Sequence, residues 1–457
     1  MAEREAWTTR LGFILAAVGS AVGLGNIWRF PFLAAESGGG AFLIVYLIAV
    51  VVIGIPALLA EFVIGRRAQM DAIGAFRQIN KPQWRFIGAI GVIASFWTLS
   101  YYSVVGGWVL RYVLGNITGN ALADPQSYFG VVSAGSQAII AHALFMVLTI
   151  TIVAFGIERG IELATKFMVP SIVVLLLGLA VYTFTLPEAQ EGYGFLLNPE
   201  FGTITANATT IIPAATGQAL FSLSVGFSVM ITYASYLGKD DSLGADGLSI
   251  AVTNTFIGVL AGLVVIPLLF AGGLTLGQGV VPEGGGAGAV FVAIPTALSD
   301  FPMLIGQLLG VVFFFIVLIA ALSSAISLLE APVAYLVDEF EIPRMHATLG
   351  LGVVVFLLGL PSAIDTEWLG WFDGIGVTLF LPTTLLLVVV FVGWIMGHDA
   401  IDELKKGMNG GDSFAPIWLW SLRTFVLIAV ILVFGLNIWD LFFTPDTGYF
   451  IIPPGLR

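Results

Sequence analysis

Apolar runs fill this chain from end to end, separated by little more than Gly, Pro and short charged stretches. A helix needs about 20 apolar residues to cross the hydrocarbon of a bilayer. Eleven runs meet or approach that length: 10–34, 41–65, 86–115, 137–156, 161–184, 213–237, 247–273, 304–337, 346–361, 370–396 and 416–442. Only 10% of the residues are charged, where a soluble domain carries about 25%. The chain therefore reads as an all-α polytopic membrane protein of about eleven transmembrane helices, embedded in a lipid bilayer. Spans 3 and 8 are long enough to tilt strongly. Met1 to Arg10 leads straight into the first span with no small-residue cleavage site, so no removable leader is expected.

The same composition narrows the chemistry. Cys is absent, and His142, His346 and His398 are scattered, so neither a thiolate nucleophile nor a Cys/His metal centre is available. No nucleophile–base pair stands at motif spacing, and the chain is not expected to be an enzyme. Asp and Glu total 29 against 17 Lys and Arg, which leaves no basic face for nucleic acid. The acid excess fits either acidic outer loops or a salt-rich cell interior, and the second is preferred. Basic residues cluster on alternate loops, at Arg4, Arg10, Arg66, Arg67, Arg77, Lys81, Arg85, Arg159, Lys166, Lys239, Arg344, Lys405 and Lys406. The positive-inside rule then places the N-terminus in the cytoplasm and, after eleven spans, the C-terminus outside the cell membrane.

Span 1 carries a run that simple spanning does not need: Gly19-Ser20-Ala21-Val22-Gly23-Leu24-Gly25-Asn26, then Arg29 and Pro31. Glycines ease unwinding and proline removes a backbone donor. Unwound backbone inside a bilayer is tolerated only where it lines an enclosed cavity, so the helix is expected to break around a small polar ligand. Span 6 repeats the pattern in Gly217-Gln218-Ala219-Leu220-Phe221-Ser222-Leu223-Ser224-Val225-Gly226-Phe227. The two breaks lie five spans apart, and an odd number of spans inverts the second half. Paired broken helices in inverted halves point to a site at the membrane midplane. The expected organisation is one transporter domain over 1–457, with inverted repeats at about 10–184 and 213–396 and an extra helix at about 416–442. An amphipathic lid helix is expected at about 288–302, and a long loop at 185–212.

Four blocks carry a resemblance: RLGFILAAVGSAVGLGNIWRFP (10–31), ESGGGAFLIVY (36–46), GQALFSLSVGFSVMITYASY (217–236) and ALSSAISLLE (321–330). In this order they resemble the neurotransmitter:sodium symporter family, above all its prokaryotic amino-acid branch, over nearly the whole chain. The resemblance implies a sodium-coupled symporter importing a neutral, hydrophobic amino acid by alternating access. A proton-coupled transporter or a ligand-binding receptor on the same fold are the alternatives. No obligate protein partner is implied.

Residue by residue, the resemblance implies a substrate carboxylate held by the unwound backbone from Ala21 to Gly25 and the Tyr102 hydroxyl. The side-chain pocket would be lined by Ser20, Leu24, Thr98, Phe221, Ser224, Phe227, Ser324 and Leu328. Two sodium ions are implied. The first would be held by the Ala21 and Ser222 carbonyls, the Asn26 and Asn254 amides, the Ser222 hydroxyl and the substrate carboxylate. The second would be held by the Gly19, Val22 and Ala320 carbonyls with the Ser323 and Ser324 hydroxyls. Alone, Ser323 and Ser324 would be read as bonding back to their own helix. An outer gate would pair Arg29 with Asp373, under a lid of Phe221 and Tyr102. An inner gate would pair Arg4 with Asp338, with Trp7, Ser235 and Tyr236 around it. Gly160 and Pro170 frame an interval matching a motif for unwinding span 5. Tyr46, Gln218 and Ser222 match a chloride shell, but the span-7 position is Gly258, and the nearest matched carboxylate is Glu61. Chloride, proton counter-movement and no compensation all stay open.

Overall fold

The computed structural model describes residues 5–273, 288–408, 411–443 and 453–454, and among these there is no strand. The first span is α1 (Arg10–Ala21) and α2 (Gly25–Glu36), bent by 54° at a short break. There follow α3 (Gly40–Ala68), α4 (Pro82–Thr118), α5 (Ser136–Ala154) and α6 (Ile157–Phe184). The sixth span is again split, into α7 (Ala208–Ser222) and α8 (Val229–Ala234). Then come α9 (Leu243–Ala271), the short α10 (Ala289–Ser299), α11 (Met303–Phe340), α12 (Arg344–Ile364), α13 (Thr366–Met396) and α14 (Ser413–Trp439). Among the described residues nine helices are long and apolar enough to span unaided, and the bent α1–α2 pair makes ten. The halves of the α7–α8 pair are each too short to span, but together they occupy the sixth place in the order, as the sequence predicts. The expected loop at 185–212 is instead largely helical, with turns over Gln190–Leu197 and Phe201–Ala206 before α7 begins at Ala208. Pro199 and Asn207 punctuate these turns without abolishing them, which is why the stretch read as loop.

The two breaks have different backbone causes. At the first, glycine is needed for space: a Cβ on Gly23 would lie 2.4 Å from Ser324 Oγ, and one on Gly25 would lie 2.7 Å from the Phe221 ring. At the second, the chain enters the left-handed region at Ser224 (φ 54), Gly226 (φ 91) and Ser228 (φ 57). Two of those three are not glycine, and such strain persists only where surroundings enforce it. Glu61 of α3 does so, accepting the Gly226 N–H at 2.6 Å, and Ser224 Oγ donates to Ser20 O at 2.9 Å. The breaks are thereby tied to each other and to α3.

The broken helices sit at the centre. α1 packs on α6, α9 and α11, while α4 packs along α11. Residues 16–27 are almost wholly enclosed. The periphery is apolar as well: Phe167, Val174 and Val181 on α6, and Ile417 and Phe425 on α14, are each more than 60% exposed. Water would penalise such a belt, and lipid does not.

Polar contacts outside the spans gather on the loop after α3. Gln69 Nε2 donates to Leu237 O at 2.9 Å, and the Asp71 N–H donates to Asp338 Oδ2 at 2.9 Å. Asp71 Oδ1 accepts the N–H groups of Ile73 and Gly74 at 2.8 and 3.0 Å. Its Oδ2 is buried without a hydrogen-bond partner. Burial pushes the Asp71 carboxyl up to about 6; the Gly74 and Ile73 N–H groups oppose this, and the Asp338 and Glu339 charges add to it. A carboxyl raised in the fold binds its proton more tightly there than in the unfolded chain. Its cost is absent below about pH 4 and complete above about pH 6. Asp71→Asn keeps the acceptor for both N–H groups and removes the charge. The variant is expected to melt about 1–2 °C higher at pH 8, with the difference vanishing at pH 4. Thermal unfolding in detergent at both pH values measures this.

Candidate functional site

Between the breaks lies a cavity of about 520 Å³, walled by α1, α2, α4, the α7–α8 linker, α11 and α13. It reaches the surface past Glu36, Gly370 and Asp373, all exposed. Of the residues expected to meet a substrate, Ser20, Ala21, Leu24, Gly25, Thr98, Tyr102, Phe221, Ser224, Phe227, Ser324 and Leu328 all line it. Ser222 does not; it is buried behind the wall, against Tyr46 and Asn254.

The break exposes backbone polarity to this cavity. Asn26 N–H turns back to Gly23 O at 3.1 Å instead of bonding Val22 O, and Gly23 N–H bonds Ala21 O at 3.1 Å. Leu24 N–H donates to the Tyr102 hydroxyl at 3.2 Å. Tyr102 thus accepts from the broken helix, and its hydroxyl lies beside Ser324 in the space next to Gly23.

Behind the wall, Asn26, Ser222 and Asn254 form one polar cluster, each at most 1% exposed. Asn26 Nδ2 donates to Asn254 Oδ1 at 2.9 Å, and Asn254 Nδ2 donates to Ser222 Oγ at 3.2 Å. Asn26 Oδ1 is left buried with no partner. A buried amide oxygen without a donor is costly, and a hard cation is the kind of group that would relieve it. Gln218 is similar: Nε2 bonds Gly25 O at 2.8 Å, while Oε1 has no partner. A Cβ on Gly258 would stand 3.4 Å from Asn26 Nδ2, so that position faces this cluster and brings no side chain to it.

Four of the five residues of the second expected ion set lie together. The Gly19 Cα faces Ser323, whose Cβ would be 3.3 Å from an added methyl. Ser323 Oγ donates to Ala320 O at 3.0 Å, the ordinary back-bond of a helical serine. Ser324 Oγ instead crosses to Ser20 O at 3.0 Å. Gly19, Ala320, Ser323 and Ser324 therefore share one seam between α1 and α11; Val22 is buried just past the end of α1.

The two ends of the cavity differ. At the open end Arg29 and Asp373 interact through their charges, but no ion pair within 4.0 Å joins them. The Arg29 guanidinium lies 5.0 Å from the Phe221 ring centroid. Tyr101, which sequence reasoning passed over, faces Asp373. The opposite end is shut. Trp7 Nε1 donates to Tyr233 O at 2.9 Å, and its ring packs edge-on against Tyr233 and Tyr236. Tyr236 OH donates to Glu330 at 2.8 Å; Glu330 pairs with Arg344 at 2.6 Å, and Arg344 with Glu5 at 2.8 Å. Thr8 N–H and Thr9 Oγ1 donate to Glu162 at 2.8 and 2.9 Å, beside Lys166. Arg4 lies outside the described residues, so its expected pairing with Asp338 has no geometry here. Gly160 falls in a π-helical turn over Ile157–Glu162, and Pro170 lies within a continuous helix. The Glu330–Arg344–Glu5 chain was missed, although an acid ending the ALSSAISLLE block was a legible signal.

Comparison with known proteins agrees with this geometry. A solved structure titled as MhsT in complex with L-phenylalanine superposes with a TM-score of 0.83 at 40% identity, covering 95% of this chain and 100% of that one. An uncharacterized sodium-dependent transporter of Bacillus subtilis, YhdH, is 35% identical over 94% of this chain and 96% of its own length. One from Haemophilus influenzae is 32% identical over 96% and 99%. Residues 4–124 and 130–449 match the sodium:neurotransmitter symporter family, and the chain belongs to that family of multi-pass, sodium-dependent membrane transporters.

Proposed function

We propose that this chain is a symporter that carries a neutral amino acid into the cell together with sodium, by alternating access. The observation that carries the reading is the break itself: unwound backbone and the Tyr102 hydroxyl face a cavity whose wall hides an unpaired amide oxygen, Asn26 Oδ1. A zwitterion supplies a carboxylate for the first and, with sodium, a charge for the second. The relative solved with L-phenylalanine supports an amino-acid cargo.

In this reading the carboxylate accepts a hydrogen bond from the Tyr102 hydroxyl and lies against Ala21–Gly25. One sodium ion is held by Asn26, Asn254, Ser222 and the Ala21 carbonyl, touching that carboxylate. A shared ligand couples the two cargoes, each raising the other's affinity by one factor. A second ion is held between Gly19, Val22, Ala320, Ser323 and Ser324, fastening α1 to α11. Ser323 can keep its back-bond to Ala320 O, since the lone pairs of its hydroxyl stay free for the ion. The side chain is enclosed by Leu24, Phe227 and Leu328. Glu36 and Asp373 stand at the mouth, and no acid or base lies deep enough to pair a charged side chain.

The geometry corresponds to the state open on one side. Arg29 and Asp373, near but unpaired, close over Phe221 once cargo is bound. The Trp7–Tyr236–Glu330–Arg344–Glu5 chain opens in turn. The Arg29–Asp373 pair, at a water-accessible mouth, is weak once formed, as a reversible gate requires. The N-terminus, with Trp7, lies on the cytoplasmic side.

Two measurements test these assignments. Asn26→Ala should raise the sodium concentration for half-maximal amino-acid binding by about tenfold or more; an unchanged sodium dependence contradicts the first ion site. Arg29→Ala and Asp373→Ala should each slow uptake, and the double variant should lose less than the two combined, with a coupling of about 1 kcal/mol. Independent losses contradict the gate.

A further inference from the structure

We propose that the closed end of the cavity is a floor of hydroxyl groups, Ser20, Thr98 and Ser327, that selects amino acids whose side chain ends in a hydrogen-bond donor. This deepens the amino-acid reading above and rests on it.

The floor is located by helix geometry. Leu24 N–H, Tyr102 OH and Ser324 mark the end where a carboxylate would lie. Ser20 stands four residues before Leu24, and Thr98 four before Tyr102. α11 runs the other way, bringing Glu330 to Tyr236 at the shut end, and Ser327 follows Ser324 by three residues. Thr98 and Ser327 are therefore about one helical turn, roughly 5.4 Å, deeper than the carboxylate end, and the Ser20–Ser327 bond keeps Ser20 at that depth. That is the depth an amino-acid side chain reaches. All three residues line the cavity and are 3% exposed or less.

Two of these hydroxyls, those of Ser20 and Thr98, do not follow the usual habit of the fold. Elsewhere a buried helical Ser or Thr bonds its own preceding turn: Ser103 to Leu99 O, Thr149 to Phe145 O, Thr165 to Ile161 O. Ser20 Oγ instead crosses to Ser327 Oγ at 2.7 Å. Thr98 Oγ1 makes no bond to its own turn either; it is buried beside the Tyr101 hydroxyl without a well-formed hydrogen bond. A buried hydroxyl left unpaired is a standing cost, which a ligand at that point removes.

The count of protons sets the preference. Ser327 has one proton, and it goes to Ser324 O at 2.8 Å. Ser20 then gives its single proton to Ser327 Oγ, leaving lone pairs on Ser20 Oγ and no donor. Its neighbouring carbonyl, Ser20 O, already accepts from both Ser224 and Ser324. What the floor has to offer is mainly acceptor. A hydroxyl or N–H tip satisfies it; a carboxylate tip finds too few donors. A purely apolar tip is admitted, since the Ser20–Ser327–Ser324 chain satisfies its own protons, but it gains nothing from these oxygens. The class indicated is a neutral amino acid with an apolar stem and a donor at its end, of which tyrosine and tryptophan are probes.

The test is equilibrium binding to the full-length protein in lipid nanodiscs with saturating sodium. Each probe is compared with the analogue lacking only the donor: tritiated tyrosine against phenylalanine, and tryptophan against 1-methyltryptophan. The donor-bearing member of at least one pair should bind about tenfold tighter. Ser20→Ala and Thr98→Val should each pull that ratio towards one, whatever their effect on phenylalanine itself, and Ser327→Ala should shift it too by releasing Ser20. A ratio near one in the wild type, or a ratio unmoved by all three substitutions, overturns the hydroxyl floor and leaves the amino-acid reading standing. Absence of sodium-dependent binding by any of the four overturns the amino-acid reading and the floor with it.

Discussion

The break between α1 and α2 is the constraint on which the rest depends. Backbone groups freed inside an apolar bundle cannot be left without partners. Gly23 and Gly25 let α11, Tyr102 and Phe221 approach closely enough to surround them. Ser20 O, just before the break, takes hydroxyls from both the α7–α8 linker and α11. Glu61 holds the second break in turn. Removing Glu61 would leave the Gly226 N–H buried and unmet. The polar interior is thus a single network built around one unwound segment.

That network would let a bundle of apolar helices hold the small zwitterionic cargo proposed above. A helix break supplies oriented backbone groups where no water competes, and the surrounding dielectric strengthens each interaction. The same breaks are the natural hinges, because unwound residues absorb changes of φ and ψ that a continuous helix resists. The asymmetry of the structure follows that division. One end is bolted by Trp7, Glu330 and Arg344, while at the other Arg29 and Asp373 stand apart.

Much of this was legible in the sequence for a physical reason. Bilayer thickness converts apolar run length directly into spans, so ten of the eleven runs fell close to their helices. Glycine, serine and amide clusters in apolar helices are costly, and at 19–26 and 217–227 they marked both breaks. The family resemblance then supplied individual residues, and eleven of the twelve expected at the substrate line the cavity. What sequence hid was geometry. Whether Ser323 bonds back or Ser20 reaches across depends on rotamers. Ser222 matched the motif but lies behind the wall. The 185–212 stretch looked like loop because short amphipathic turns interrupted by Pro199 and Asn207 lack a clear period. Glu330 and Glu162 serve as bolts only because Arg344 and the Thr8–Thr9 backbone come to them from far along the chain.

The central claim is that sodium drives amino-acid accumulation through this cavity. Uptake of a radiolabelled panel of neutral amino acids into proteoliposomes measures it most directly, with an inward sodium gradient and then with potassium in its place. The account predicts that one or a few amino acids concentrate inside and that potassium abolishes this. Accumulation that ignores sodium and follows an imposed pH gradient, or binding with no accumulation at all, would contradict it.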